Sequence, residues 1–325
     1  MVEIIPGVHR IESTYQGRLL TSYLLVGKQS LLVDSGFAFS PEETILPYLE
    51  QVNVPVARIC WLVVTHASAD HCGGNHAMKE FAPRVCIVAH QLDAGSIASH
   101  ATFMRNHVDC LREAGIPLAG VREDDAEFLR QCGVETRVDW GVRGGEELII
   151  DGGWSVALVH VPGHTPGHIA VLDRKNGILF SGDAVMGRGI PDASGNLVMP
   201  PHYFEVDSYR STIGKIRGMA PRTILATHFS PIVGEAVEQF LDASEEFVQD
   251  LEAAIMGILR RAGGALHIRS VIDETRNVVG IPDSEYQYGL LVVAHLQLLA
   301  QRGRVFLLRG HCWTLEEKPE PEPIG

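Results

Sequence analysis

Short apolar runs, each ending in polar residues, make up most of the N-terminal two thirds of this chain. Four of them occupy positions 59–64, 156–161, 178–180 and 224–225. A short apolar run that ends in turn residues is typical of a buried strand. Side chains that follow such strands lie at the edge of a sheet. The pattern therefore predicts one edge at which the residues after the four strands converge.

The segment between the two groups of strands has a different composition. Residues 90–132 are predicted to be a helical insertion, because Phe103, His107 and Leu111 recur at helical spacing. His100 and His107 would share one helix face, and we expect them to pack between helices or to face solvent rather than to bind substrate or metal. The strands before and after the insertion predict two halves, each a sheet covered by helices.

The chain changes character after Pro231. Apolar residues recur at helical spacing over 240–259, and Gly263-Gly264 ends that helix. Two further helices and a hairpin about Gly310 are predicted to follow. This order resembles a winged-helix unit, which we place at residues 237–316.

The composition of this C-terminal unit argues against DNA binding. A recognition helix presents basic and amide side chains, whereas residues 289–300 are almost entirely apolar. We therefore expect the unit to serve as a lid, as a wall of a binding site or as a dimer contact. The apolar helices predict a homodimer. The tail at 317–325, rich in Pro and Glu, is predicted to be disordered.

The overall composition narrows the range of functions. The 325 residues carry a formal net charge of −13, which argues against general affinity for nucleic acid because phosphate binding needs a clustered basic surface. The chain has no apolar run of 18 residues and no leader-like N-terminus, so we expect a cytoplasmic protein without a membrane partner. Its six cysteines form no Cys-x-x-Cys pair, as expected of buried thiols in a reducing compartment.

The residues that follow the four apolar runs are of types that bind metal ions. The loop at 65–71 holds two imidazoles and a carboxylate, and each of the other runs leads to a histidine or an aspartate. Imidazole nitrogen and carboxylate oxygen are the ligands that suit a zinc-like divalent metal. The histidines and aspartates delivered in this way are His66, Asp70, His71, His164, His168, Asp183 and His228.

In their order, these motifs resemble the metallo-β-lactamase superfamily, whose pattern is a His-x-His-x-Asp-His run followed by a distant His, a bridging Asp and a last His. The phrase His164-Thr-Pro-Gly-His168 is most similar to the glyoxalase II and acyl-lactonase branches. The resemblance implies that the candidate metal ligands are His66, Asp70, His71, His164, Asp183 and His228. Asp34 matches the aspartate on the family's early strand that supports the metal ligands. The resemblance covers roughly residues 7–235. It implies an α/β fold, a four-layered αββα sandwich, which we assign to residues 1–236.

One position departs from the family pattern, because the second histidine of the run is Ser68 here. A serine hydroxyl is a poor zinc ligand compared with imidazole, so the family's first metal site keeps only His66 and His164. The second site contains the other four candidate ligands and is intact. We predict one tightly held zinc ion, with a second ion possible, and Ser68 holding an ordered water in place of a metal.

The resemblance implies a hydrolase in which a metal-bound hydroxide attacks an ester-like bond of a small molecule, a thioester or a lactone first. Asp70 is the predicted catalytic residue, with one oxygen on the metal and the other orienting the nucleophile or returning a proton to the leaving group. In the loop at 187–207, His202 and Tyr203 are predicted to contact substrate. His168 is predicted to hydrogen-bond a neighbouring loop rather than to bind metal.

Two other functions remain open on the sequence. The same nucleophile can act at another activated carbon, as in the cleavage of a carbon–halogen bond. Alternatively, the altered site binds a metabolite without catalysis, and the C-terminal unit passes the signal on. The retention of four strong ligands favours chemistry over pure binding.

Overall fold

The computed structural model describes residues 2–116, 126–282 and 285–316. Within them the strands are β1 (Val2–Ile5), β2 (Val8–Tyr15), β3 (Arg18–Leu25), β4 (Ser30–Val33), β5 (Ile59–Val63), β6 (Cys86–His90), β7 (Trp140–Val142), β8 (Glu147–Asp151), β9 (Trp154–His160), β10 (Ile169–Asp173), β11 (Ile178–Gly182), β12 (Ile190–Pro191), β13 (Leu197–Met199), β14 (Thr223–Ala226), β15 (Ile232–Val233), β16 (Leu266–His267), β17 (Phe306–Leu308) and β18 (Cys312–Thr314).

The α-helices in the same residues are α1 (Leu46–Gln51), α2 (Ala69–Cys72), α3 (Asn75–Phe81), α4 (Ala94–Ala98), α5 (His100–Met104), α6 (Cys110–Glu113), α7 (Ala126–Cys132), α8 (Val206–Met219), α9 (Glu235–Ala262), α10 (Ile268–Val279) and α11 (Glu285–Gln301). A π-helical segment at Pro41–Ile45 precedes α1, and a second one at Arg105–Asp109 joins α5 to α6. None of these helices is both long and apolar enough to span a bilayer.

Two large sheets form the body of the protein. The first has the strand order β1-β2-β3-β4-β5-β6-β7, and the second has the order β15-β14-β11-β10-β9-β8. β4, β5, β6 and β7 run parallel to one another, and β11 runs parallel to β14. Parallel strands place their carboxyl ends at one edge of a sheet. The loops after β4 and β5 therefore leave the first sheet together, as do the loops after β11 and β14 in the second sheet.

Apolar side chains hold the two sheets face to face. Leu31 and Val33 of the first sheet lie in the same buried cluster as Leu158 and Phe180 of the second. Leu32, between the first two, belongs to a different cluster under α1 and α3, as the alternation of side chains along a strand requires. A third cluster joins the outer face of the second sheet to α8 and α9. These layers are those of the predicted αββα sandwich.

The predicted insertion is helical in its described part, through α4, α5, α6 and α7. Residues 117–125 of it lie outside the described residues, and so does the predicted disordered tail at 317–325. The sequence-based expectation of helices in this region is therefore confirmed for the described residues. What the spacing of apolar residues could not give is the surface that these helices cover.

The C-terminal elements follow the predicted order of three helices and a hairpin. The 28-residue helix α9 ends where Gly263 adopts a φ of +61°, a left-handed conformation that favours glycine. A small sheet with the order β16-β18-β17 accompanies α10 and α11. Leu291 and Leu299 of α11 are buried in one cluster with Leu179 of the second large sheet. The apolar residues that suggested a dimer contact therefore pack within the chain, and the homodimer stays a prediction.

Candidate active site

The loop after β5 carries three of the candidate ligands, and the loop after β4 holds it in place. Asp34 accepts hydrogen bonds from the backbone N–H of Thr65 at 2.7 Å and from its hydroxyl at 2.9 Å. Asp34 has a φ of +60°, a left-handed conformation that aspartate tolerates better than most residues. The N–H of Ser35 donates to the carbonyl of His71 at 2.9 Å. These bonds fix the loop and the short helix α2 at the sheet edge.

Four side-chain atoms from three loops form a cluster at this edge. His228 Nε2 lies 3.2 Å from Asp183 Oδ2 and 3.5 Å from Asp70 Oδ2. His71 Nε2 lies 3.5 Å from Asp183 Oδ2 and 3.9 Å from Asp70 Oδ2. Ligands placed about 2.0–2.2 Å from a tetrahedral zinc ion are about 3.3–3.6 Å apart, so the measured separations suit such an ion.

Two buried atoms of the cluster support this fit. His71 Nε2 and Asp183 Oδ1 have no hydrogen-bond partner in the part of the chain that the structure describes. Buried polar atoms are normally hydrogen-bonded, and leaving one without a partner costs about 1–3 kcal/mol. A divalent metal ion in the cluster would satisfy His71 Nε2 and would balance the charge of the buried Asp183 carboxylate, so the residues present fit the metal that their types predict.

Hydrogen bonds on the far side of each histidine fix which nitrogen faces the cluster. Nδ1 of His71 donates to Asp34 Oδ2 at 2.8 Å, and Nδ1 of His228 donates to the carbonyl of Leu19 at 2.8 Å. In the neutral ring, the single proton is thereby assigned to Nδ1, which leaves the Nε2 lone pair directed at the cluster. This is the state that a metal ligand requires.

His66 and His164 reach the same edge, with their Nε2 atoms 3.0 Å apart. Nδ1 of His164 donates to the carbonyl of His202 at 2.9 Å. Nδ1 of His66 lies 3.1 Å from the Thr65 hydroxyl, whose own proton goes to Asp34. Both histidines therefore direct a lone pair at the other, and this arrangement needs a proton or a metal ion between them.

The two sets of ligands adjoin. Donor atoms of His66, His71 and Asp183 lie within 4.8 Å of one another, as do those of Asp70, His71 and His228. Ser68 lies on the cavity wall beside them. The His66 side of the site therefore offers fewer strong donors than the Asp70 side.

His168 supports two of the candidate ligands from behind. Its Nε2 accepts the backbone N–H of Asp183 at 3.1 Å, and its ring stacks on His66 with 4.7 Å between centroids. The prediction that His168 hydrogen-bonds a neighbouring loop is confirmed. Gly182 has a φ of +52°, and a Cβ there would lie 2.8 Å from Thr65 Oγ1. Glycine at this position lets β11 turn close beside the ligand loop.

Burial and charge act in opposite directions on the ionisable groups of the cluster. Burial alone would raise the pKa of the Asp183 carboxyl, but His228 and His71 hold it well below its ordinary value. Burial lowers the pKa of His71, and the nearby carboxylates, Asp34 first among them, raise it well above its ordinary value. Burial holds the pKa of His66 well below its ordinary value. The carboxylate side of the site therefore favours a bound cation, while His66 stays neutral.

The cluster opens into a cavity of about 280 Å³. Much of its wall comes from three segments that are far apart in sequence: the insertion, the loop at 187–207 and α11. Tyr15, Gln16, Arg18 and Phe37 also line it. The lining residues from these segments are Phe103, His107, Gln131, Ile190, Met199, His202, Phe204, Tyr286, Gln287 and Leu290. The insertion therefore lies beside the candidate site, as predicted.

The structure separates the two predicted substrate contacts. His202 lines the cavity, and its ring lies 4.4 Å from that of His164 between centroids. Tyr203 is fully buried in the core, where its hydroxyl lies 2.9 Å from His295 Nε2. Neighbouring side chains in an extended segment point to opposite sides, so His202 and Phe204 face the cavity while Tyr203 faces away. The prediction that Tyr203 contacts substrate is therefore wrong.

The substitution Tyr203→Phe tests this correction. We expect the free energy of unfolding to fall by about 1–3 kcal/mol, because the buried His295 Nε2 loses its partner. Urea unfolding followed by fluorescence measures this change. Metal content should stay unchanged, since Tyr203 does not reach the cluster. A variant with unaltered stability but weakened binding of a small-molecule substrate would restore the original prediction.

His107 is a cavity residue that sequence reasoning placed only between helices. Its ring stacks on Phe103 with 4.5 Å between centroids and meets the edge of Phe204 at 5.1 Å. Burial lowers the pKa of His107 to about 4, so it is neutral near pH 7. Helical spacing shows which residues share a face, but it does not show what that face covers, and no other signal in the sequence marked His107.

Residues 17–228, which include all six candidate ligands, match the family model described as the metallo-beta-lactamase superfamily. This chain belongs to the metallo-beta-lactamase superfamily. Superfamily membership supports a metal-dependent hydrolase, and the clustered His and Asp side chains are groups that can bind a divalent metal ion.

Individual relatives are distant in sequence. The probable metallo-hydrolase YqjP of Bacillus subtilis is 25% identical over 244 residues, which are 70% of this chain and 73% of that protein. Hydroxyacylglutathione hydrolase GloC of Haemophilus influenzae is 39% identical over 164 residues, which are 50% of this chain and 64% of that protein. A metallo-beta-lactamase family protein of Thermus thermophilus has a TM-score of 0.74 at 18% identity, covering 97% of this chain and 100% of the other. This likeness shows a shared fold that extends beyond the residues of the family match.

Proposed function

We propose that this protein is a zinc-dependent hydrolase that cleaves an ester-like bond of a small molecule, with a thioester or a lactone as the first candidate. The observation that carries the proposal is the cluster of Asp70, His71, Asp183 and His228 beside a cavity of about 280 Å³, in which each histidine Nε2 lies 3.2–3.9 Å from both carboxylate Oδ2 atoms. Membership of the superfamily supports hydrolysis, and a relative named for the hydrolysis of a hydroxyacylglutathione supports an acyl substrate.

The ligands divide into a strong set and a weak set. Asp70, His71, Asp183 and His228 would hold the metal ion. When bound, such an ion supplies Lewis acidity, which activates water and polarises an oxygen of the scissile bond at neutral pH. The weak set, His66 and His164 beside Ser68, has two imidazoles, so we propose one tightly held ion per chain with weak or absent binding of a second.

The exposure of each side chain indicates its role. Asp70 has a side chain that is 25% exposed and lines the cavity, so its second oxygen can accept a proton from water and deliver one to the leaving group. Asp183, at 4% exposure, is too buried for proton exchange and acts as a ligand. Ser68 lines the cavity and can hold an ordered water through its hydroxyl. His202 is the proposed contact for substrate, because it lies on the cavity wall beside His164.

Metal stoichiometry tests the proposal most directly. Elemental analysis of the purified protein is expected to give one zinc ion per chain. Ser68→His should raise the value toward two, because it restores a third imidazole to the weak set. Ser194→His, on an exposed loop, is the matched control and should leave the value at one. Two ions in the unaltered protein would overturn the single-ion assignment, and a protein that binds no metal would overturn the hydrolase.

A panel of activated esters, thioesters, lactones and haloalkanes tests the reaction. We expect release of thiol or carboxylic acid from the acyl compounds. Release of halide without acyl cleavage would replace the ester-like bond with a carbon–halogen bond. Full metal loading without turnover of any compound would favour the metabolite-binding function.

We also propose that residues 237–316 form a winged-helix-like unit that acts as a substrate wall. The winged-helix-like arrangement is supported by the three-stranded sheet and by the element order α9, β16, α10, α11, β17 and β18. Its role as a substrate wall is supported by the contribution of Tyr286 and Leu290 to the cavity.

All six cysteines are free thiols, which supports a reducing location such as the cytoplasm.

A further inference from the structure

Arg18 is a cavity residue whose position ties it to the candidate active site. It is the first residue of β3 and lines the cavity. The next residue, Leu19, accepts the hydrogen bond that orients His228. The backbone of Arg18 also pairs with Asp192 in the loop at 187–207. The backbone at Arg18 is thus held between a candidate metal ligand and a wall of the cavity.

The guanidinium of Arg18 lacks a carboxylate partner among the described residues. Its one hydrogen bond there runs from Nη1 to the sulfur of Met199 at 3.5 Å, which is a weak acceptor. Asp192, close in the fold, directs Oδ1 instead to the N–H groups of Ser194 at 2.8 Å and Asn196 at 2.9 Å. Arg18 is a partly buried residue, and its guanidinium, which has only a sulfur acceptor among the described residues, is available to an anionic ligand.

The charges and surfaces around Arg18 restrict what can bind there. Among the described lining residues, Arg18 is the one with a permanent positive charge, and the acidic ones are Asp70 and Asp183, both in the ligand cluster. The cavity also has apolar lining. Its apolar side chains are Phe37, Phe103, Ile190, Met199, Phe204 and Leu290. The cavity therefore suits a ligand with an apolar body and one negative charge.

We propose that the substrate carries a carboxylate that binds Arg18, while its apolar body lies against the aromatic wall and its scissile bond faces the ligand cluster. This inference rests on the proposed hydrolase and specifies its substrate class. A planar guanidinium matches a carboxylate through two parallel hydrogen bonds. A single cation in a cavity that already holds two carboxylates suits one added negative charge better than the two of a phosphate monoester.

Matched ester substrates test the inference by activity. 4-Nitrophenyl hydrogen glutarate and 4-nitrophenyl pentanoate have acyl chains of the same length, and only the first carries a distal carboxylate. We expect Arg18→Ala to raise KM for the glutarate ester about 10- to 100-fold, as the loss of a charge-assisted pair predicts, and to leave KM for the pentanoate ester unchanged. The KM of Arg18→Lys for the glutarate ester should fall between those of the unaltered protein and Arg18→Ala. Arg84→Ala, an exposed site outside the cavity lining, is the control and should affect neither ester.

Calorimetry tests the same inference without turnover. In the metal-loaded protein, the monoamide of glutarate, which keeps one distal carboxylate, should bind about 10- to 100-fold more tightly than the uncharged pentanamide, and Arg18→Ala should remove that difference. Elemental analysis of each variant checks that the metal content is unaltered. A preference for the glutarate monoamide that persists in Arg18→Ala would overturn the role of Arg18. If no ester is hydrolysed but the calorimetric difference appears and depends on Arg18, the proposed reaction fails while the carboxylate site stands.

Discussion

Asp70→Asn is expected to lower kcat for the best ester substrate about 10²- to 10⁴-fold while the fold is retained. The carboxylate faces two candidate ligands, with Oδ2 3.5 Å from His228 Nε2 and 3.9 Å from His71 Nε2. The amide of asparagine has nearly the same shape, but it is a weaker ligand and cannot accept a proton. Since the side chain of Asp70 is 25% exposed at the cavity, the substitution leaves the core undisturbed.

Three measurements decide this first prediction. Steady-state kinetics give the loss of turnover, elemental analysis gives the zinc content, and thermal unfolding checks the fold. Asp250→Asn is the matched control, because Asp250 is exposed and makes a surface ion pair with Arg188 at 2.8 Å. Such pairs contribute about 0–1 kcal/mol, so the control should behave like the unaltered protein. Full activity in Asp70→Asn would overturn its catalytic role.

Asp34→Asn is expected to weaken zinc binding about 10- to 100-fold, although Asp34 does not belong to the ligand cluster. Its carboxylate accepts hydrogen bonds from the N–H and hydroxyl of Thr65 and from Nδ1 of His71. In asparagine, an NH2 group replaces one of the two acceptor oxygens. This hydrogen-bond donor would face the donors of Thr65 or His71. The ring of His71 loses the bond that directs its Nε2 lone pair at the metal. Asparagine tolerates the φ of +60° as aspartate does, so the variant tests the hydrogen bonds and not the backbone.

Competition with a chromophoric zinc chelator measures the affinity of Asp34→Asn. Asp250→Asn, which also removes one carboxylate, serves again as the control. Because Asp34→Asn should weaken the strong site, its activity should recover when zinc is added in excess. An affinity equal to that of the unaltered protein would show that Asp34 does not orient His71 for metal binding.

Local sequence patterns predicted much of the fold. The apolar runs predicted the strands, whose alternating residues face different clusters, as Leu31 and Leu32 do, and the family resemblance implied the αββα layers. The C-terminal helices follow from helical spacing that ends at Gly263. The patterns could not place α11 against the second sheet or on the cavity wall. Burial of a helix face depends on which distant surface complements it, and an apolar stripe fits several surfaces equally well.

The same division applies to the candidate site. The ligand types come from short motifs after strands, so His66, Asp70 and His71 could be named from the sequence. The cavity residues come from segments with no motif, so Arg18 and His107 could not be named. Tyr203 shows the opposite error, since nearness to a ligand loop in sequence did not make it face the cavity.

The sequence by itself determined the residue types at the sheet edge, the serine in place of a ligand histidine, and the strands that deliver them, because these depend on local spacing and side-chain chemistry. Only the tertiary structure decided that the Nε2 atoms of His71 and His228 face one cluster, that Arg18 lies in the cavity without a carboxylate partner among the described residues, and that Tyr203 is buried. The physical reason is that these features depend on contacts between segments that are far apart in the sequence. Local spacing carries no information about such contacts.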